Sequence, residues 1–545
     1  MKKTASSTLP ALPSRGDLSR WWPYFALVVV FAISRFLYRR VLDLEFDYTP
    51  LNSFIQYLRL WFVEHDFWRS LLYLHQQAPL QNLLTGGAIR VLGLAAAIRV
   101  LDGLYLLLGL VTVLAIVHAM LRLGVARWLA VVATAVYAIS PVTVFYESWL
   151  FYHQPVAALL TLSLVALLRY YRVGGASAAF GFFGLFALVG LFYAIYNPVL
   201  LVVTVGVLLL RPPNPPRHGG WPRVRMLAAL SIPLALLVLN LAKTKALVGY
   251  GHGEAFLWQN LAFKTFYELR PGERERLQRA GLVSHAPDHL LFGAPLPRFG
   301  SLRCTHPPTG VPLLDLDPTP DGEPNAHSLE RVMIADKYHK PDAIYLLRHY
   351  FPDYWRSFVR GLTTGYFLSA LDYDHSLRSE TRRKLTAVAA QIDFLFLPDR
   401  TGRQLLLVVA LPCILLYGLY RVLGTRASLE SQRSTVAALS YMILTILYIS
   451  FATTVVAVGD FSRYRFNLDQ FYLILFALMA TDLGRRARGV WRGVRARLRL
   501  RRTQRMADAV PGATSLSARV APRIPQLSGS PPRTCGEIPD ASPAA

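Results

Sequence analysis

Four titratable side chains stand where they could do chemistry beside a membrane. Glu45 and Asp47 follow the first apolar segment, two residues apart, and point the same way if that segment is extended. Glu147 lies in a very short polar segment between two apolar stretches, and His75 precedes another apolar run. A partly desolvated carboxylate can act as a general base or a metal ligand. The alternative is structural, since acids are common in loops and a single interfacial histidine is usually not catalytic.

An arginine motif opens the last apolar stretch. Arg463, Tyr464 and Arg465 occur in the sequence VGDFSRYRFNLDQFY. Arginine presents a fixed fork of donors that matches phosphate oxygens, and it stays charged when partly buried. These residues are therefore candidates for binding a phosphate. Ion pairing with Asp460 or Asp469 is the structural alternative.

The elements that must position these residues are membrane-spanning helices. The mean hydropathy of +0.34 and the 53% of apolar residues favour a bilayer over water as the solvent of this 545-residue chain. A helix needs roughly 17 to 25 mostly apolar residues to cross the hydrocarbon. We therefore predict an all-α integral membrane bundle of about ten spans: Trp22–Tyr38, Leu101–Leu121, Trp128–Phe145, Pro155–Leu168, Ala178–Tyr196, Pro198–Leu210, Met226–Leu241, Leu405–Tyr420, Val436–Val458 and Phe466–Ala480. The first of these is expected to be a retained span and not a cleaved signal peptide.

The basic residues of the short loops predict an orientation. Positively charged short loops stay on the cytoplasmic side, which places both termini and the arginine-rich loops inside. The predicted organisation is a cytoplasmic tail at 1–21, a bundle at 22–241 with a first outer loop at 43–100, an outer insert at 242–404, C-terminal spans at 405–482, and a basic, then disordered, cytoplasmic tail at 483–545. The insert mixes proline-rich loops with helices. Its contact with the membrane face is predicted to use six aromatic residues: Tyr345, Tyr350, Phe351, Tyr354, Trp355 and Phe358.

The charge and the cysteines exclude several functions. Lys and Arg outnumber Asp and Glu by 58 to 33, and much of the excess follows Asp482. A basic run beside an apolar segment is typical of a cytoplasmic flank near anionic lipids, so nucleic-acid binding is disfavoured. Cys304, Cys413 and Cys535 lie too far apart to suggest a disulfide framework or a zinc site. No nucleotide-binding loop is evident.

Taken in chain order, the outer acids, the histidine, the acid after the third span and the late arginine motif resemble the GT-C class of membrane glycosyltransferases. Within it, the sequence is similar to bacterial relatives of protein O-mannosyltransferases and of the lipid A aminoarabinose transferase. Their acidic pair reads here as Glu45, Phe46, Asp47, and their late Arg-Tyr or Arg-Phe motif matches 463–466 most closely.

Two elements of this class are altered. The His-Pro-Pro-Leu element is similar to His75 through Leu80, but Gln76, Gln77 and Ala78 separate the histidine from the proline. Many relatives carry a Thr-Arg pair before a His-Pro element ahead of the sixth span. Here that place reads FYAIYNPVLL, so a basic group toward the donor is missing there.

The resemblance implies transfer of a sugar from a polyprenyl-phosphate carrier to a lipid, glycan or protein acceptor, with inversion, at the outer face of the cytoplasmic membrane. It implies that Asp47 is the base, and that Glu45 and Glu147 orient the acceptor or an optional divalent metal. His75 is a further catalytic candidate. Arg463 and Arg465, with Tyr464 between them, would bind the donor phosphate. Membrane lipids are expected as partners, nucleic acid is not, and no cofactor beyond the optional metal is implied.

Two alternatives belong to other classes. A secondary transporter is also a helical bundle with buried charges, but transporters tend to show repeated halves and ionisable groups near the bilayer midplane. The candidate charges of this chain cluster at one face and no repeat is visible. A non-enzymatic membrane assembly protein, in which the acids and arginines are structural, is the second alternative.

Overall fold

A computed structural model describes residues 15–210, 222–368, 384, 387–388, 404–424, 430–456 and 461–508. These residues are predominantly α-helical, and strand-like pairing among them is limited to isolated bridges such as the one between Asp47 and Trp149. The prediction of an all-α membrane bundle is confirmed. Predicted features at Asp460, Cys535 and the end of the C-terminal tail lie outside the described residues.

The first part of the chain alternates long apolar helices with short connecting ones. The short helices follow the first long one and belong to the predicted first outer loop. The helices are α1 Arg15–Phe36, α2 Pro50–Ser53, α3 Leu60–His65, α4 Phe67–Tyr73, α5 Pro79–Leu92, α6 Leu94–Arg122, α7 Arg127–Ile139, α8 Pro141–Glu147, α9 His153–Val173, α10 Ala176–Phe192, α11 Pro198–Leu210 and α12 Pro222–Val248. A π-helical turn over Leu37–Val41 extends α1.

The second part holds the insert and the last long helices. The insert contains α13 Glu254–Phe266, α14 Pro271–Arg279, α15 Pro312–Asp315, α16 Leu329–Ile334, α17 Lys340–His349 and α18 Phe351–Thr363. Short 3-10 turns lie at Ala286–Asp288, Leu296–Leu302 and Gly365–Phe367, and a π turn lies at Ala335–His339. The later helices are α19 Leu405–Gly424, α20 Glu430–Val456 and α21 Phe461–Asp508.

Six helices of the described chain are long and apolar enough to cross a membrane, or seven if α7 and α8 form one broken span. The break between those two is a bend of 58° at the Ser140–Pro141 step. Proline lacks an N–H and disfavours helical geometry at the preceding residue, which explains the bend. The helices α10 and α11 are apolar but shorter, at 17 and 13 residues. Large apolar side chains such as Phe25, Leu239 and Leu416 are exposed on the long helices, as expected for surfaces that face lipid.

Several helices extend past the apolar stretches that defined the predicted spans. Helix α6 begins at Leu94, so the last residues of the predicted outer loop 43–100 belong to it. Helix α12 continues to Val248, so the predicted insert boundary at 242 falls inside a helix. Helices readily continue into polar flanks, whereas hydropathy registers only the apolar part.

The insert packs against the bundle through α13 and α18. The Tyr354 hydroxyl donates to the Val455 carbonyl (3.2 Å), and the rings of Phe358 and Phe451 lie 5.9 Å apart. A side chain on Gly361 would overlap the ring of Phe461, so this glycine allows the close approach.

The six predicted contact aromatics do not act as one surface, which corrects that part of the prediction. Tyr354 and Phe358 are buried, whereas Phe351 and Trp355 are about half exposed. These four residues follow the i, i+3, i+4, i+7 spacing of one side of α18, with the buried pair at its edge toward the bundle and the exposed pair at the other edge. Tyr345 and Tyr350 instead pack inside the insert, against a cluster that includes Leu346.

The chain divides into two units at Asp482, and the described residues from Asp482 onward belong to the second. Its described part is helical to Asp508, and the residues from Arg485 to Thr503 are all exposed. Apolar residues recur on one side of this helix at Leu483, Val490, Val494 and Leu498, among many arginines.

Candidate active site

Asp47 is fixed by backbone pairing to the segment that joins α8 to α9. Its N–H donates to the Ser148 carbonyl (2.7 Å), and its carbonyl accepts from the Leu150 N–H (2.8 Å). The side chain is buried, and Oδ1 accepts hydrogen bonds from the N–H (2.9 Å) and hydroxyl (2.7 Å) of Thr49. Oδ2 is also buried but forms no hydrogen bond with any described residue. One oxygen thus orients the carboxylate, and the other is available to accept a further hydrogen bond.

Glu45 lies in a different environment from Asp47, although the segment between them is not helical. Its side chain is exposed, while Asp47 is buried. The nearby Asp43 is also exposed, and its Oδ2 lies 3.2 Å from the Lys384 ammonium. Only one acid of the predicted pair is therefore buried, and the two do not share one environment.

Glu147 is held by a partner that the sequence analysis did not identify. Arg35 of α1 donates from Nε to Oε1 (2.7 Å) and from Nη2 to Oε2 (2.6 Å), and both residues are buried. The same guanidinium donates to the Ala138 carbonyl at 2.5 Å. A methyl group on Gly109 would overlap this carboxylate, so the α6 backbone passes directly beside it. Glu147 is thus a buried link between α1, α6 and α8.

Arg463 lies over two aromatic rings. Its guanidinium carbon is 4.8 Å from the centroid of the Tyr464 ring and 5.9 Å from that of Phe151, and Nη2 donates to the Tyr464 hydroxyl (2.9 Å). Phe151 is in the same α8–α9 segment that pairs with Asp47. The predicted base and the predicted phosphate-binding arginine are therefore both arranged around residues 148–151.

Arg465 has structural partners, in line with the alternative considered for the motif. Its Nε lies 3.5 Å from Asp469 Oδ1 one helical turn later, and Nη1 donates to the Tyr366 carbonyl (2.7 Å). This arginine therefore joins α21 to the turn that follows α18. Arg463 and Arg465 have separate surroundings despite their proximity in sequence.

His75 faces the insert. Its carbonyl accepts from the Gly253 N–H (2.9 Å), and its ring meets that of His327 edge to face at 5.7 Å. Burial lowers the pKa of His75 to about 4, and burial does the same for the pKa of His252. Burial holds the pKa of His327 well below 6.5. His75 thus belongs to a neutral histidine cluster at the contact between the first loop and the insert, and none of its described contacts is with Asp47.

A bound metal ion needs several ligand side chains that converge on one point. Among the described residues, no three His, Cys, Asp or Glu side chains converge on a point that could hold a metal ion. Glu147, one of the predicted metal candidates, is occupied by Arg35. A surface depression of about 550 Å³ on the insert, between Asp336 and His349, contains none of the predicted site residues.

Sequence reasoning did not single out two polar residues beside the candidate site. His153 and Gln154 begin α9 directly after the segment that pairs with Asp47, and both are fully buried. The available signal was the placement of two polar residues and a proline at the start of a long apolar run, where a helix N-terminus is expected. The aromatic residues around His153 and Gln154 made this helix-start signal hard to recognise.

No protein-family model matches the sequence, and a search of curated proteins finds no match. Among solved structures, the chain is similar to the Archaeoglobus fulgidus oligosaccharyltransferase in the apo form, with 13% identity, a TM-score of 0.37, and coverage of 88% of this chain and 52% of that one. It is also similar to the archaeal oligosaccharyltransferase AglB from Archaeoglobus fulgidus in complex with an inhibitory peptide and a dolichol-phosphate (13% identity, TM-score 0.33, 87% and 52% coverage). A third similar structure is ArnT from Cupriavidus metallidurans in the apo state (12% identity, TM-score 0.24, 84% and 85% coverage). The chain spans about half the length of the two archaeal structures.

Proposed function

We propose that this membrane protein is a glycosyltransferase that moves a sugar from a polyprenyl-phosphate donor to an acceptor hydroxyl at the outer face of the cytoplasmic membrane. The observation that carries the proposal is the arrangement around residues 148–151. Their backbone pairs with Asp47, and Phe151 of the same segment lies beneath Arg463. A base and a phosphate-binding cation beside one segment are the two groups that such a transfer needs.

The reaction is a substitution at the anomeric carbon. The acceptor hydroxyl attacks this carbon, and its proton passes to the free oxygen of Asp47. The bond between the anomeric carbon and the phosphate oxygen breaks, and the bonding pair leaves with the polyprenyl phosphate. A base that takes the proton during attack contributes about 10²- to 10⁴-fold in rate. Attack from the face opposite the phosphate inverts the anomeric configuration.

Arg463 stabilises the charge that develops on the departing phosphate. The Tyr464 hydroxyl accepts from its Nη2 and so orients the guanidinium. Donors that are already oriented toward developing charge need no reorganisation during the reaction. Arg465 and Glu147 serve instead to hold the helices, through Asp469 and Arg35 respectively. We assign no direct step to Glu45 or His75, and none to a metal.

The experiment is sugar transfer in membranes that contain the full chain. A labelled sugar is supplied on polyprenyl phosphate, and protein levels are matched by blot. Asp47→Asn keeps the shape of the side chain and its bonds to Thr49 but removes the base, so turnover should fall about 10²-fold or more. Asp43→Asn is the matched control, because Asp43 is an exposed acid of the same loop, and it should retain activity. Normal turnover in Asp47→Asn would refute the assigned base, and no transfer by the unmodified chain from any polyprenyl-phosphate sugar would refute the function.

A further inference from the structure

The first turn of α9 lies inside the bundle with its polar atoms unsatisfied. His153 and Gln154 are both fully buried. Neither ring nitrogen of His153, and neither amide atom of Gln154, forms a hydrogen bond with any described residue. The N-cap residue, Tyr152, supplies no side-chain cap. Because buried polar groups are normally hydrogen-bonded, four such atoms in two consecutive residues indicate a bound polar molecule.

The surroundings favour an anion. The N-terminus of a helix carries a partial positive charge and directs N–H groups outward. His153 shares two neighbours with Arg463, because its ring centroid is 5.1 Å from that of Phe151 and 6.4 Å from that of Tyr464. The guanidinium of Arg463 lies over the same two rings. A helix terminus, a nearby arginine and side-chain N–H donors are together suited to phosphate oxygens.

We infer that His153 and Gln154, at the N-terminus of α9, bind the phosphate group of the lipid carrier together with Arg463. The inference rests on the proposed function and adds two binding residues to it. His153 donates from a ring N–H, and Gln154 donates from its amide. The phosphate thereby accepts hydrogen bonds from the buried donors of α9 and pairs with the positive charge of Arg463 on α21.

The test measures binding without transfer. The full chain in lipid nanodiscs is titrated with polyprenyl phosphate, with polyprenol that lacks the phosphate, and with inorganic phosphate. His153→Phe keeps a ring but removes both nitrogens, Gln154→Leu removes the amide, and His153→Gln keeps a donor. His118→Phe is the matched control, since His118 lies in α6 and bonds the Tyr24 hydroxyl.

We expect His153→Phe and Gln154→Leu each to weaken polyprenyl-phosphate binding about tenfold or more, as for a lost hydrogen bond to a charged group. His153→Gln should be milder, His118→Phe should bind normally, and polyprenol binding should not change. Unchanged polyprenyl-phosphate affinity in a His153→Phe, Gln154→Leu double variant would overturn the inference. If inorganic phosphate bound as tightly as polyprenyl phosphate, the lipid carrier would not be the ligand of this site. If His153→Phe does not fold, Gln154→Leu and His153→Gln decide the question.

The two failures are distinguishable. Polyprenyl phosphate that binds through His153, in a chain that performs no transfer, would refute the proposed function and leave this site in place. Transfer that needs Asp47, in a chain whose double variant binds polyprenyl phosphate normally, would refute this site alone.

Discussion

The carboxylate of Glu147 and the guanidinium of Arg35, 112 residues apart in the chain, are joined by hydrogen bonds of 2.7 and 2.6 Å inside the bundle. A bidentate pair of this kind is directional and links α1 to α8 at a fixed orientation. Because α8 ends at Glu147, the pair also sets where the next segment, which carries the partners of Asp47, begins.

Breaking this pair on one side should destabilise the bundle. Arg35→Met leaves the Glu147 carboxylate buried without its partner, for an expected loss of about 3–5 kcal/mol. The double variant Arg35→Met, Glu147→Leu removes both charges and should recover much of that loss. Thermal unfolding in detergent measures both effects. A double variant no more stable than the single one would show that the pair is not the source of the loss.

Turnover should be highest with arginine at position 463, lower with lysine and lowest with alanine. Lysine keeps the charge but lacks the planar fork and the donor geometry toward Tyr464. Loss of one oriented donor to a developing charge costs about 2.7–4 kcal/mol, or roughly 10²–10³ in turnover. The measurement is the transfer assay with protein levels matched. Arg465→Lys is the neighbouring control, and equal effects at the two positions would contradict the separate roles.

The orientation of the chain can be tested by thiol labelling. The exposed Ser301 of the insert and the exposed Ser177 at the start of α10 are suitable sites for single cysteines in a background without native cysteines. A membrane-impermeant reagent on intact cells should modify Ser301→Cys and spare Ser177→Cys. The reverse pattern would place Asp47 on the inner side.

Helix α18 is expected to rest on the membrane surface through its exposed apolar side. Phe351, Trp355, Val359 and Leu362 share that side, while Tyr354 faces the bundle. Aromatic rings favour the membrane interface, and the basic residues of such a helix face the water. A spin label at Val359 should be relaxed by oxygen dissolved in lipid, and one at Arg356 by a water-soluble nickel reagent. Equal exposure of both labels to the nickel reagent would rule out this contact.

Acidification should loosen the contact between the first loop and the insert. The ring nitrogens of His252 are buried although part of the residue is exposed, and Lys243 and Arg59 act as nearby positive charges on the histidine cluster. Burial lowers the pKa of His75 and His252 from 6.5 to about 4, so the unfolded chain binds more protons between these values. Stability present above pH 6.5 should therefore be lost as the pH falls toward 4.

The check is the unfolding temperature across this pH range. His252→Gln should flatten its dependence on pH, whereas the exposed His285→Gln should not. If the curves for His252→Gln and the unmodified chain were parallel, the histidine cluster would not be the cause of the dependence of stability on pH.

Sequence reasoning could predict the all-α bundle, because each apolar stretch is a local property of the chain. It could also single out Asp47 and Arg463 as candidates, since position beside a span carries information about exposure to the membrane surface. It could not predict the partner of Glu147, because Arg35 lies on another helix and pairing across helices leaves no periodic signal. Sequence reasoning could not predict that Asp47 is buried and Glu45 exposed for the same reason. The segment at 148–150 that packs on Asp47 is distant from it in sequence.

The backbone pairing of Asp47 couples its position to that of Arg463. Residues 148–151 touch Asp47 on one side and Arg463 on the other, so a shift of this segment displaces both. A variant that moves this segment should therefore disturb the candidate base and the candidate phosphate-binding arginine together, even though neither side chain is changed.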